Sequence, residues 1–112
     1  MSQFDEKVQL YKDSAAGLNL KLSDALIKGV AKSLGPSIYL DDAALVSTSD
    51  KEELARVKKN FLIGKLGLKD GPALDTAIDQ AIESFGKSNR NKYRVLFYAF
   101  LAKKLGKEAL YD

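Results

Sequence analysis

The residues best suited to chemistry form one basic run, Gly86-Lys87-Ser88-Asn89-Arg90-Asn91-Lys92-Tyr93-Arg94, which leads into the most apolar stretch of the chain. From Lys87 to Lys107 there are seven basic residues and no acidic one. Arg90 and Lys92 would stand in the first turn of a helix, where unpaired N–H groups carry partial positive charge, so each opposes the helix dipole at a cost on the order of a few tenths of a kcal/mol. Something must compensate. A bound anion would: Ser88, Asn89 and the free backbone amides, with Lys92 nearby and Arg90 and Arg94 four residues apart on one face, are the ingredients of an oxyanion or phosphate site. Internal carboxylates would also serve. Asp75, Asp79 and Glu83 recur every four residues on the preceding segment, and a hairpin through Gly86–Lys87 would bring that stripe beside the basic groups. Pairing between neighbouring helices is the commoner use of such charges, although an exposed pair contributes only ~0–1 kcal/mol.

Other constellations are thinner. Lys103, Lys104 and Lys107, with Lys58, Lys59 and Lys65, extend the basic run toward a nucleic-acid surface. The layout does not favour it: the lysines near 103 lie about three helical turns beyond Arg94, and the dense apolar residues between leave little recognition surface. Ser84-x-x-Lys87 has the spacing of a serine–lysine nucleophile pair, but it stands at a helix end with no supporting motif. Asp41–Asp42 could hold a divalent cation, yet adjacent acids between apolar stretches more often cap helices. The sequence contains no Cys and no His. That removes thiolate nucleophiles, imidazole bases, disulfides and ordinary zinc sites from consideration. We therefore expect no enzyme, no cofactor and no metal site. The expected function is a non-catalytic binding or structural one, and the alternative is anion or nucleic-acid binding through Ser88, Asn89, Arg90, Lys92 and Arg94.

The elements that must position these residues read as helices. Lys92–Leu105 is apolar around most of its circumference. Tyr93, Leu96, Phe97, Phe100, Leu101 and Leu105 fall at spacings of three and four, with Val95, Tyr98, Ala99 and Ala102 between them. Such a helix is buried by its neighbours. It is too short, and too interrupted by Arg94, Lys103 and Lys104, to match the ~20 apolar residues that a bilayer requires. Ahead of it lie a first helix capped by Ser2, carrying Phe4, Val8, Tyr11 and Ala15 and ending near Gly17 and Asn19, and a second from Ser23 to Gly35–Pro36 with Gly29 at its centre. A third is opened by a capping box, Ser49 with Glu52, and a fourth begins at Pro72 and stops at Gly86, with Ser88 or Asn89 capping the last. Residues 36–48 read as a helical turn or two. Phe61-Leu62-x-x-Lys65-Leu66-Gly67 repeats as Phe100-Leu101-x-x-Lys104-Leu105-Gly106, 39 residues on. Either two helices end alike or an old hairpin was duplicated.

Leu34-Gly35-Pro36-Ser37-Ile38-Tyr39, Ser49-Asp50-Lys51-x-Glu53-Leu54, Asn60-Phe61-Leu62, Lys65-Leu66-Gly67-Leu68 and Ser88-Asn89-Arg90-Asn91-Lys92-Tyr93-Arg94 together resemble the DUF2853 family of short bacterial proteins, a domain of unknown function. The resemblance spans nearly the whole chain and implies a bacterial, stand-alone, mostly helical cytosolic protein. It brings no activity, cofactor or site residue.

The expected architecture is all-α, one domain over residues 1–112, with about five helices packed around a hydrophobic C-terminal helix. Hydrophobic residues at 46% and charged residues at 29% suit a folded globular chain, and a net charge of +3 favours solubility without naming a partner. The opening MSQFDEKVQLYKD has no apolar leader, so a cytoplasmic location is expected. Partners are left open between another protein and a second copy, for which Val95 and Tyr98 are the candidate face.

Overall fold

The computed structural model describes residues 3–40, 44–86, 88–89 and 92–111. The cap assigned to Ser2 and the roles assigned to Asp41–Asp42, Lys87, Arg90 and Asn91 fall outside the described residues. Helix α1 (Gln3–Gly17) buries Val8, Tyr11 and Ala15. Helix α2 (Asp24–Leu34) is opened by Ser23, whose Oγ accepts from the Leu26 amide at 3.1 Å, and closed by Gly35 at φ 65°. A 3-10 turn, Gly35–Tyr39, follows at once, and the Ala44 amide then donates to the Leu40 carbonyl at 2.8 Å. Beyond it Leu45 forms an isolated antiparallel bridge with Tyr93, and the Val46 amide donates to the Lys92 carbonyl. The expected turn is present at Gly35–Tyr39, and residues 41–43 fall outside the described residues; Leu45 pairs as an extended bridge instead.

Helix α3 (Lys51–Arg56) is capped by Asp50 and not by Ser49. The Asp50 carboxylate accepts from the amides of Glu52 at 2.9 Å and Glu53 at 3.4 Å. A charged acceptor at a positive helix end outcompetes a neighbouring hydroxyl. The same rod continues as a π-helix, Val57–Lys65, where an ordinary α-helix was expected. Its apolar spacing explains the difference. Val57, Phe61, Leu62 and Leu66 are all buried, and at about 3.6 residues per turn Leu66 would lie half a turn away from Val57. Hydrogen bonds to the fifth residue along, such as Leu66 N–H to the Phe61 carbonyl at 2.9 Å, widen each turn until all four share one face.

Helix α4 (Pro72–Phe85) runs from its proline to Gly86, which turns the chain at φ 90°. Helix α5 (Arg94–Lys104) begins two residues later than its apolar pattern, because Lys92 and Tyr93 are drawn out straight beside Leu45 and Val46. Tyr93 takes the cap position, with no side-chain cap from Ser88 or Asn89.

Within α5, Val95, Leu96, Phe97, Ala99, Leu101 and Ala102 are at most 1% exposed. The helix touches α1, α2, α4 and a closing 3-10 turn, Glu108–Tyr111. The Phe61 ring from the π-helix stacks on Tyr98 at 4.0 Å between centroids. The fold is thus all-α, with its helices packed around the apolar C-terminal one. Val95 is buried, and Tyr98, stacked against Phe61, stays partly exposed. Gly29 has a packing reason: a Cβ there would stand 2.5 Å from the Tyr111 carbonyl oxygen, so its absence lets the closing turn lie against α2.

Candidate functional site

The first residue of α5 organises the most connected polar cluster among the described residues. Arg94 donates through Nη2 to Glu53 Oε1 at 2.5 Å and to the Leu45 carbonyl at 3.2 Å, and through Nη1 to the Tyr98 hydroxyl at 3.0 Å. Glu53 also accepts from Arg56 at 2.9 Å. The elements explain the meeting. The Asp50 cap starts α3 so that Glu53 faces α5, the bridge at Leu45–Tyr93 brings a carbonyl alongside, and one helical turn sets Tyr98 beneath Arg94. Side-chain exposure is 16% for Arg94 and 13% for Glu53, so the pair is largely shielded from water. Burial by itself would raise the Glu53 carboxyl, but hydrogen bonds from Arg56 and Arg94, with their charges, outweigh it and hold the group below its ordinary value. Burial would likewise lower the Arg94 guanidinium, and the bonds to Glu53 and Tyr98 more than offset it.

The basic residue that opens α5 is therefore compensated by a carboxylate of the fold. The acceptor is Glu53 on α3, not the acidic stripe of α4. Asp75 of that stripe turns the other way, toward Lys58, which it shares with Asp70 at 3.1 and 2.9 Å. The other described site candidates are engaged locally or exposed. Ser88 is exposed in a turn, Asn89 Nδ2 donates to the Phe85 carbonyl at 3.0 Å, and Lys92, only 4% exposed, donates to the Asn89 carbonyl at 2.5 Å. Arg90 falls outside the described residues. Lys103, at the far end of α5, donates to the Lys21 carbonyl. Glu53 escaped the sequence reading because it lies 41 residues from Arg94. The only hint was the unfavourable charge at the helix start, which demanded a partner without saying where.

A cluster so tied together holds three segments: residue 45, α3 and α5. Among the open grooves elsewhere on the described surface, two have mainly apolar floors. One, about 370 Å³, is floored by Phe4, Pro36 and Tyr39 with Lys32 at its edge; the other, about 310 Å³, runs between α3 and α4 over Leu54 and Ile78. No group of three or more Asp or Glu among the described residues is placed to hold a metal ion. No helix among them is long and apolar enough to cross a membrane.

The profile of a family described as "Protein of unknown function (DUF2853)" matches residues 10–109. The chain belongs to the DUF2853 family. No curated protein matches it. This DUF2853 protein offers two apolar-floored grooves on its surface, while Arg94 and Glu53 are engaged inside it.

Proposed function

We propose that this DUF2853 protein is a small, bacterial, cytosolic, non-catalytic interaction module, a single domain over residues 1–112 that engages other polypeptides through the grooves between its helices. The observation that carries this reading is the make-up of those grooves. Their floors are apolar, Phe4, Pro36 and Tyr39 in one and Leu54 and Ile78 in the other, and lysines stand on their rims. Open apolar strips edged by charge suit a helix or an extended peptide. The absence of Cys and His from the sequence narrows the available catalytic groups to carboxylates, Lys, Tyr, Ser and Thr. Anion binding through Ser88, Asn89, Arg90, Lys92 and Arg94 has less behind it, because an incoming phosphate would have to displace Glu53 from Arg94.

An amide-resolved NMR titration tests the reading. Amphipathic helical peptides should shift resonances of the groove residues, while nucleotides, single- and double-stranded oligonucleotides and Mg²⁺ should leave them unmoved. Localised shifts at Ser88–Arg94 with an oligonucleotide or nucleotide would overturn it in favour of anion binding.

A further inference from the structure

The groove between α3 and α4 carries opposite charges on its two walls. Lys51 and Lys58 stand on the α3 side and the π-helix that continues it, and Asp75 and Asp79 stand on the α4 side. Lys58 is held across the groove by Asp75 and also by Asp70. At the other end Lys51 and Asp79 enter no ion pair among the described residues. Lys51 is moreover the first residue of its helix, where a cation opposes the dipole; Asp50, Glu52 and Glu53 stand in the same turn, but none of them forms an ion pair with it. Both residues are exposed, and the floor between them is formed by Leu54 and Ile78.

We propose that this groove is the contact between two copies of the chain, related by a two-fold axis that runs along the groove. It deepens the interaction reading above, and rests on it, by naming the partner. The charge pattern selects both the partner and the axis. A two-fold along the groove lays the lysine wall of each copy over the aspartate wall of the other, so that Lys51 of each chain meets Asp79 of its mate and the two Leu54–Ile78 floors face each other. A two-fold across the groove would instead set Lys51 against Lys58 and Asp75 against Asp79, with like charges opposed. A surface that is its own complement under one rotation and repels itself under the other is what an isologous contact requires. The product is a four-helix arrangement in which α3 of one copy lies antiparallel to α4 of the other.

Sedimentation of the full chain at low salt, up to a concentration on the order of 1 mM, tests the proposal. Wild type is expected to dimerise, less tightly as salt rises. Lys51→Asp and Asp79→Lys are each expected to weaken dimerisation by about tenfold or more, since two attractive pairs become two repulsive ones. Both positions are exposed, and circular dichroism verifies that each variant is folded. Mixing the two variants in equal amounts should restore the dimer, because each substituted position then meets the opposite charge on its mate. A wild type that stays monomeric overturns the proposal, as does a dimer indifferent to both substitutions. Peptide-induced shifts in the groove of a monomeric protein would overturn the second copy as occupant while leaving the interaction reading intact; a monomer that responds to no peptide would overturn both.

Discussion

Arg94 reaches three parts of the chain with one side chain, so its removal should be felt beyond its own helix. Arg94→Met leaves Glu53 shielded without its closest cation and should cost about 2 kcal/mol, less than the ~3–5 kcal/mol of a fully buried pair because some of each side chain stays exposed. Denaturant unfolding measures this, and a double-mutant cycle with Glu53→Gln should return a clear coupling between the two. Tyr98→Phe keeps the stack on Phe61 and loses only the bond from Arg94, so about 1 kcal/mol is expected. The acid limb follows from the same carboxylate. Its folded-state value is depressed, so in the interval between that value and the unfolded one the unfolded chain binds more protons. The stabilisation is complete above the unfolded value of about 4.3 and disappears as pH falls through the lower folded value. Glu53→Gln should flatten the fall in stability that sets in as pH drops below about 5, roughly one unit above the unfolded value. At this scale the sequence announced a debt at the start of α5 but not its creditor, since nothing local links residue 94 to residue 53.

Helix stops were legible because each has a local cause. Gly35, Gly86 and Gly106 all take positive φ where the apolar periods run out. The repeated Leu-Gly ending is explained in the same way. Gly67 and Gly106 have φ 71° and 72°, while the turns before them differ, Leu66 bonding five residues back and Leu105 four. The π-helix was not read, because Val57, Phe61 and Leu62 alone fit an α-helix and only Leu66 betrays the extra residue. Deleting Asn60 restores the spacing i, i+3, i+4, i+8 that an α-helix carries on one face. The deletion variant should fold with stability equal to or above that of wild type, with the four apolar side chains still buried, as amide exchange and denaturant unfolding would show. Gly29→Ala should have the opposite outcome. Alanine favours the helix by up to ~1 kcal/mol, but its Cβ would collide with the carbonyl and Cβ of Tyr111. Helix α2 should persist while the turn at Glu108–Tyr111 lifts off, detected as faster amide exchange confined to the last residues and a lower Tm.

At the scale of the molecule, the apolar girdle of α5 was enough to place it at the centre, because a helix without a polar face has nowhere else to go. The start of that helix was the weaker inference. Backbone pairing of Leu45–Val46 with Lys92–Tyr93 is non-local and leaves no period in the sequence. The same limit kept the grooves out of view, since Lys51 and Asp79 acquire a relationship only once α3 and α4 lie side by side. What unites the residue, the element and the whole is that α5 carries more of the most deeply buried side chains of the core than any other helix and is bolted at its first residue to α3. Native-state hydrogen exchange tests that directly. The amides of Phe97–Ala102 should exchange only through global unfolding, slower than those of any other element, and Glu53→Gln should accelerate them by the full loss in global stability. Exchange in α5 as fast as in α1, or rates in α5 unmoved by a destabilising Glu53→Gln, would contradict the account.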